Sequence, residues 1–146
     1  MRLLLAIDGS VFSEAATQAV IARANPHETE VRVLHVIDIP SPQFPEMMAY
    51  YPGIEHARDA QRGPAEALVL KAAEFLRSKG FRVTKAVELG DPKSKILDAA
   101  EEWHADLIVL GSHGRTRLDR FLMGNVSDAI ARHATCSVEI VRIPKH

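Results

Sequence analysis

The chain has 146 residues, 47% hydrophobic and 25% charged, with a formal net charge of −1, the balance of one ordinary folded domain over 1–146. That charge excludes the strongly basic footprint of a nucleic-acid binder, and no apolar run approaches the roughly 20 residues that span a membrane. A single cysteine, Cys136, excludes an intrachain disulfide and suits a reducing compartment, so a cytoplasmic location is expected.

Residues 2–8 open the chain with a continuous apolar run. The first residues carry a charge and a short apolar stretch, as signal peptides do, but Asp8 interrupts it far short of a signal's apolar core. The run therefore reads as a strand buried on both faces, ending at Asp8-Gly9-Ser10. From about 11 to 24, Phe12, Ala15, Ala16, Ala19 and Val20 recur at helical spacing, with Ser10 as N-cap and Asn25-Pro26 as the stop. Val31, Val33, Leu34, Val36 and Ile37 form a second strand. Residues 38–56 hold four of the eight prolines, and neither regular element is expected there.

A long amphipathic helix follows, with Ala65, Leu68, Val69, Ala72 and Leu76 on one face and Gly80 as its C-terminal stop. Phe81, Val83 and Val87 suggest a third strand with one wetter face. Asp91 and Pro92 then start a helix carrying Ile96, Leu97, Ala100 and Trp103. A fourth strand, 106–110, runs into a glycine-rich loop, a short helix spans about 125–133, and a last strand covers 137–143. Strands alternating with helices predict an α/β fold, a single open, doubly wound parallel sheet with helices on both faces. Ligands of such sheets sit beyond the carboxyl ends of the strands, where Asp8, Val36 and Gly111 would converge.

The glycine loop is the strongest functional signal. Gly111-x2-Gly114-x9-Gly124, followed by Asn125-Val126-Ser127, lies between a strand and a helix. Glycines there can take φ > 0 and gather N–H groups into an anion nest, and the first turn of the following helix offers more. Two amide clusters in one unit suit an oligophosphate, so a nucleotide polyphosphate is the expected ligand. The dull alternative is three ordinary turn glycines. Asp8 equally reads as a turn or cap residue, and His113 as an exposed loop residue. Arg115, Arg117 and Arg120 read as a solvated basic cluster ahead of a γ-phosphate contact. The Met- and aromatic-rich segment 43–51 suggests a lid over a base, a contact surface or a mobile loop. Cys136 reads as a small core residue.

Several chemistries fail on inspection. The chain has no G-x4-G-K-[ST] phosphate loop, no G-x-G-x-x-G dinucleotide fingerprint and no His pair at metal-ligand spacing. The first strand ends in Asp8-Gly9-Ser10, not in the Ser-Gly-Gly loop of ATP pyrophosphatases. No nucleophile–base–orienter set assembles, which favours binding over catalysis. A slow ATPase or phosphotransferase using Asp8 or His113, and an interaction protein with a lapsed nucleotide site, stand as the alternatives.

Ala6-Ile7-Asp8-Gly9-Ser10, Leu34-His35-Val36-Ile37-Asp38, Leu110-Gly111-Ser112-His113-Gly114-Arg115 and Gly124-Asn125-Val126-Ser127 closely resemble the universal stress protein family, in order and over essentially the whole chain. The resemblance implies strand order 3-2-1-4-5 and membership of the ATP-binding branch, whose pattern is G-x2-G-x9-G followed by Ser or Thr. It implies that Asp8 and Val36 flank adenine and ribose with Ala6 beneath. Leu110, Gly111, His113, Gly114 and Arg115 would wrap ribose and phosphates. Gly124, Asn125, Val126 and Ser127 would offer backbone N–H groups, and Ser127 its hydroxyl, to a phosphate chain carrying Mg²⁺. Position 125 departs from the pattern, being Asn; its amide can still donate to a phosphate oxygen. The resemblance further implies a homodimer through the last strand, which Pro144 would terminate, and a regulatory output in stress response.

Overall fold

The structure, a computed structural model, describes residues 1–38, 54–114 and 124–143, with the side chains of 54–59 left aside. Nine elements alternate: β1 (Arg2–Ala6), α1 (Val11–Arg23), β2 (Glu30–Asp38), α2 (Ile54–Ser78), β3 (Arg82–Gly90), α3 (Pro92–Trp103), β4 (Leu107–Gly111), α4 (Asn125–His133) and β5 (Ser137–Val141). The five strands form one all-parallel sheet in the order β3-β2-β1-β4-β5, as expected. β1 lies at its centre, and the strand order reverses between β1 and β4.

The unbroken apolar run of β1 is explained by its two buried faces. Successive side chains of a strand point to opposite sides. Leu3, Leu5 and Ile7 therefore pack with Ala16 and Val20 of α1 and Val69, Ala73 and Leu76 of α2. Leu4 and Ala6 pack on the other side with Ile96, Ala100 and Trp103 of α3 and Ile130 of α4. Each fully buried Leu or Ile contributes on the order of 1.5–3 kcal/mol, so this central strand anchors both layers.

Local chemistry sets most boundaries. Ser10 Oγ accepts the Ser13 N–H to start α1, and Asp91 starts α3 with Pro92 at its first position. Gly80, at φ 95°, ends α2 with bonds from its own N–H to Arg77 O and from Phe81 N–H to Leu76 O. The same pair of bonds ends α3, but there the left-handed residue is His104, at φ 56°. Among described residues it is the one non-glycine with positive φ.

Several boundaries differ from expectation: β1 stops at Ala6, two residues short of Asp8, and β4 runs from Leu107 to Gly111, one residue later than expected. β2 runs on to Asp38, and α2 starts at Ile54, inside the stretch expected to be irregular, and continues through Gly63 and Pro64. In the sequence, residues 54–64 are rich in polar and charged side chains and end in Gly63-Pro64, so they offer no clear helical period to be read. β5 stops at Val141, leaving Arg142 and Ile143 outside the strand. Half-buried Cys136 precedes β5, and burial, with a further push from nearby Asp106, raises its thiol above the ordinary range. The segment 43–51, Arg115, Arg117, Arg120 and Pro144 lie outside the described residues.

Candidate functional site

A cleft of about 1240 Å³ opens at the carboxyl ends of β1, β2 and β4, at the reversal of strand order. Eleven of the twelve residues singled out from the sequence line it: Ala6, Asp8, Val36, Leu110, Gly111, His113, Gly114, Gly124, Asn125, Val126 and Ser127. The twelfth, Arg115, lies outside the described residues. The parallel topology makes this convergence, because every β–α turn of such a sheet emerges on the same edge.

The glycines act differently from the expectation of φ > 0. Among described residues the positive-φ glycines are Gly9, Gly80 and Gly90, and Gly124 has φ −66°. At Gly111, Gly114 and Gly124 the need is space. A Cβ at Gly111 would lie 2.7 Å from the carbonyl carbon and oxygen of Phe12, so β4 passes directly against the first turn of α1. A Cβ at Gly114 would meet Asp8 Oδ2 at 2.9 Å, and one at Gly124 would approach His113 Cα and Ser112 O at 3.3 Å. Close backbone approach is the second reason a chain uses glycine, and it shapes this cleft.

Ser112 closes the loop at its base. Its carbonyl accepts the Gly124 N–H at 2.8 Å and the Ser127 hydroxyl at 2.8 Å, while its own N–H donates to Val141 O at 2.9 Å. The Ser127 hydroxyl also lies 3.0 Å from Gly124 O, and Ser127 is only 2% exposed. In this structure, then, the Gly124 N–H and the Ser127 hydroxyl proton are committed to tying the two ends of the loop together. Among the described residues, the donors without a partner begin one residue later. The Asp128 N–H bonds Gly124 O as the first turn of α4, and the Asn125, Val126 and Ser127 amides precede that bond.

Three helix N-termini border the cleft, and they are not equivalent. α1 is capped by Ser10, and α3 by Asp91, whose Oδ2 lies 3.4 Å from the Ser94 N–H. α4 follows Gly124, which has no side chain and gives no cap bond. The positive end of the α4 dipole and its first amides are therefore left for an external acceptor. Asp8 takes up the turn role weighed for it: its Oδ1 accepts the Ser10 N–H at 2.9 Å, while Oδ2 sits against Gly114. His113 turns its ring onto Phe12, with centroids 5.0 Å apart, and its Nδ1 lies 2.9 Å from Ser112 Oγ.

The cleft also recruits residues that motif reading did not find. His35 lines it with Nδ1 2.8 Å from Ile7 O, and Gln61, Leu68 and Lys71 of α2 and Lys93 of α3 form further wall. Nothing local marks the four helix positions, since only the crossovers decide which helix edge overlooks the strand ends. Among described residues no group of three or more His, Cys, Asp or Glu could hold a metal ion, and no helix is long and apolar enough to cross a membrane.

Comparison with known proteins agrees with this architecture. The family model described as the universal stress protein family matches residues 1–142. A universal stress protein of Staphylococcus aureus (strain USA300) is 31% identical over 150 aligned positions, taking in 96% of this chain and 82% of that protein. The structure of universal stress protein UspA from Lactobacillus plantarum superposes with a TM-score of 0.85 at 26% identity, covering 97% of each chain. An Arabidopsis thaliana family member solved with AMP bound shares the fold, with a TM-score of 0.67 at 17% identity over 99% of this chain and 92% of that one. From the strand order, the glycine-lined cleft and these likenesses together, the chain belongs to the universal stress protein family.

Proposed function

We propose that this chain is an adenine-nucleotide-binding regulatory module that takes ATP in the cleft at the strand ends. The observation that carries the reading is the uncapped start of α4. Its free amides border a cleft into which Gly111, Gly114 and Gly124 let the backbone approach closely. Adenine and ribose would lie between Asp8, Val36 and Ala6, and the phosphates against the Asn125, Val126 and Ser127 amides. The AMP held by the Arabidopsis relative supports an adenine nucleotide as ligand class. Mg²⁺ would enter on the phosphates, coordinated chiefly by their oxygens and water. Binding itself, rather than turnover, is the output: holding a ground state tightly gains no rate.

The second half of the proposal is a homodimer through β5. Its Val138, Ile140 and Val141 are only half-buried at the sheet edge, whereas the other edge strand, β3, exposes Arg82, Thr84, Lys85 and Glu88. Charged side chains blunt an edge; half-buried apolar ones leave it open to pairing. Arg23 of α1 forms an ion pair with Glu139 of β5.

Mass spectrometry of ligand released from denatured, freshly purified protein, followed by calorimetry with ATP, ADP and AMP, tests the first half. Absence of heat at about 100 μM protein, where only binding weaker than about millimolar would escape, would sink it. Sedimentation velocity tests the second half; a monomer at that concentration removes it.

A further inference from the structure

The ladder between β1 and β2 ends one bond early. Its last register pair is Ala6 with Leu34, closed by the Ile7 N–H donating to Leu34 O at 2.9 Å. In a regular parallel ladder the next bond would run from the Val36 N–H to Ile7 O. That bond is not made. Ile7 O instead accepts from the His35 side chain, with Nδ1 at 2.8 Å, and the Val36 N–H has no partner among the described residues.

A carbonyl oxygen can only accept, so Nδ1 carries a hydrogen and donates it. The imidazole thus stands in for a backbone amide. It is also out of pattern in β2. Side chains alternate along a strand, and Val31, Val33 and Ile37, on the same side as His35, are all buried apolar residues. The direction of the Val36 amide follows from the ladder. Leu34 turns its carbonyl toward β1, and a strand repeats its direction every second residue, so the Val36 N–H points to the β1 side as well. β1 has ended at Ala6 by that level, and the cleft opens there, with Ala6, His35 and Val36 in its lining. A backbone N–H away from bulk water ordinarily has a partner. At half-buried Val36 the side chain next door has taken that partner.

We propose, building on the nucleotide reading, that His35 is a positioning residue: by occupying Ile7 O it keeps the Val36 N–H out of the sheet and holds it ready for a ring nitrogen of the bound base. His35 acts through the backbone, without touching the nucleotide. Growth of the sheet and binding of the ligand compete for one N–H, and the imidazole decides that competition for the ligand. Because the amide serves the base, its loss is felt alike by ATP, AMP and adenosine.

Two substitutions test this. His35→Leu keeps a branched side chain of similar reach without a donor, whereas His35→Asn places an N–H where Nδ1 stood. In His35→Leu the Val36 N–H is expected to close onto Ile7 O. Its hydrogen exchange, followed by NMR in the ligand-free protein, should therefore slow at least about tenfold. A side chain that only held the strands together would, once removed, make this amide exchange faster. Equal or faster exchange overturns the proposal. By calorimetry, His35→Leu should bind ATP, AMP and adenosine each about three- to tenfold more weakly, and His35→Asn should restore most of the affinity along with the fast exchange. Unchanged affinity in His35→Leu, or a loss confined to ATP, would refute the role in base binding. If the unaltered protein binds no adenine nucleotide, the nucleotide reading fails. The exchange measurement needs no ligand and separately decides whether His35 holds the amide out of the ladder.

Discussion

The two ends of one sheet are built to opposite rules. At the amino end of β1 and β4, polar groups are joined to one another. The Arg2 N–H donates to Asp106 Oδ2 and its guanidinium to Trp103 O, each at 2.7 Å, while the Arg32 guanidinium lies 4.6 Å over the Trp103 ring and donates to Thr84. At the carboxyl end, a cleft of about 1240 Å³ is bordered by an uncapped helix and by His113, whose Nε2 is buried and has no partner among the described residues. Satisfied polar groups over a buried Trp stabilise the fold; unsatisfied ones are stability withheld for a ligand to supply. Under the proposed function, a single sheet divides its labour between holding itself together and holding a nucleotide.

Substitutions at the two ends should separate these roles. The largest effect is expected at the amino end: Trp103→Ala removes a buried side chain from the α3 layer and should cost about 3–5 kcal/mol in urea unfolding. Nucleotide affinity of the remaining folded fraction should be unaltered. A parallel loss of affinity would show that the two ends are coupled after all.

Gly111→Ala comes next, because it sits where the two roles meet. Its Cβ would lie 2.7 Å from the Phe12 backbone, which cannot swing aside like a side chain. Overpacking of about 1–3 kcal/mol is expected by chemical denaturation, together with weaker binding as the loop shifts. Gly114→Val should sharpen the contrast. There the obstacle is the end of the Asp8 side chain, which can move, so thermal unfolding should change little. Binding should be lost, because the added methyls fill space a phosphate needs; unchanged affinity would contradict the site. The smallest effect is expected far from the cleft. His104→Gly relieves a left-handed non-glycine at the end of α3 and should raise stability by up to about 1 kcal/mol. No gain in a denaturation midpoint would mean that His104 is better accommodated than its φ implies.

How much of this was legible in the chain varies by element for physical reasons. α3 was readable at its start because Asp91 and Pro92 act on their own neighbours, and β1 because an unbroken apolar run needs two buried faces. The beginning of α2 was not, since 54–64 is rich in polar and charged residues and Pro64 reads as a breaker. The glycine loop was located correctly, but its physics was not. Positive φ was expected at Gly111, Gly114 and Gly124, whereas Phe12, Asp8 and His113 crowd them instead. Likewise the Gly124 N–H and the Ser127 hydroxyl, expected to face a phosphate, join Ser112.

The chain's own order of residues determined the alternation of strands and helices, the caps of α1 and α3, and the position of the glycine loop between β4 and α4. Those features depend on forces that act within a few residues: dihedral preference, apolar period and side-chain capping. Tertiary structure alone decided which backbone each glycine must clear and which helix edges overlook the strand ends. It also decided which nitrogen of His113 is left without a partner. Each of those outcomes belongs to a pair of segments distant in sequence, and steric exclusion and hydrogen-bond satisfaction between them have no value until the sheet has brought them together.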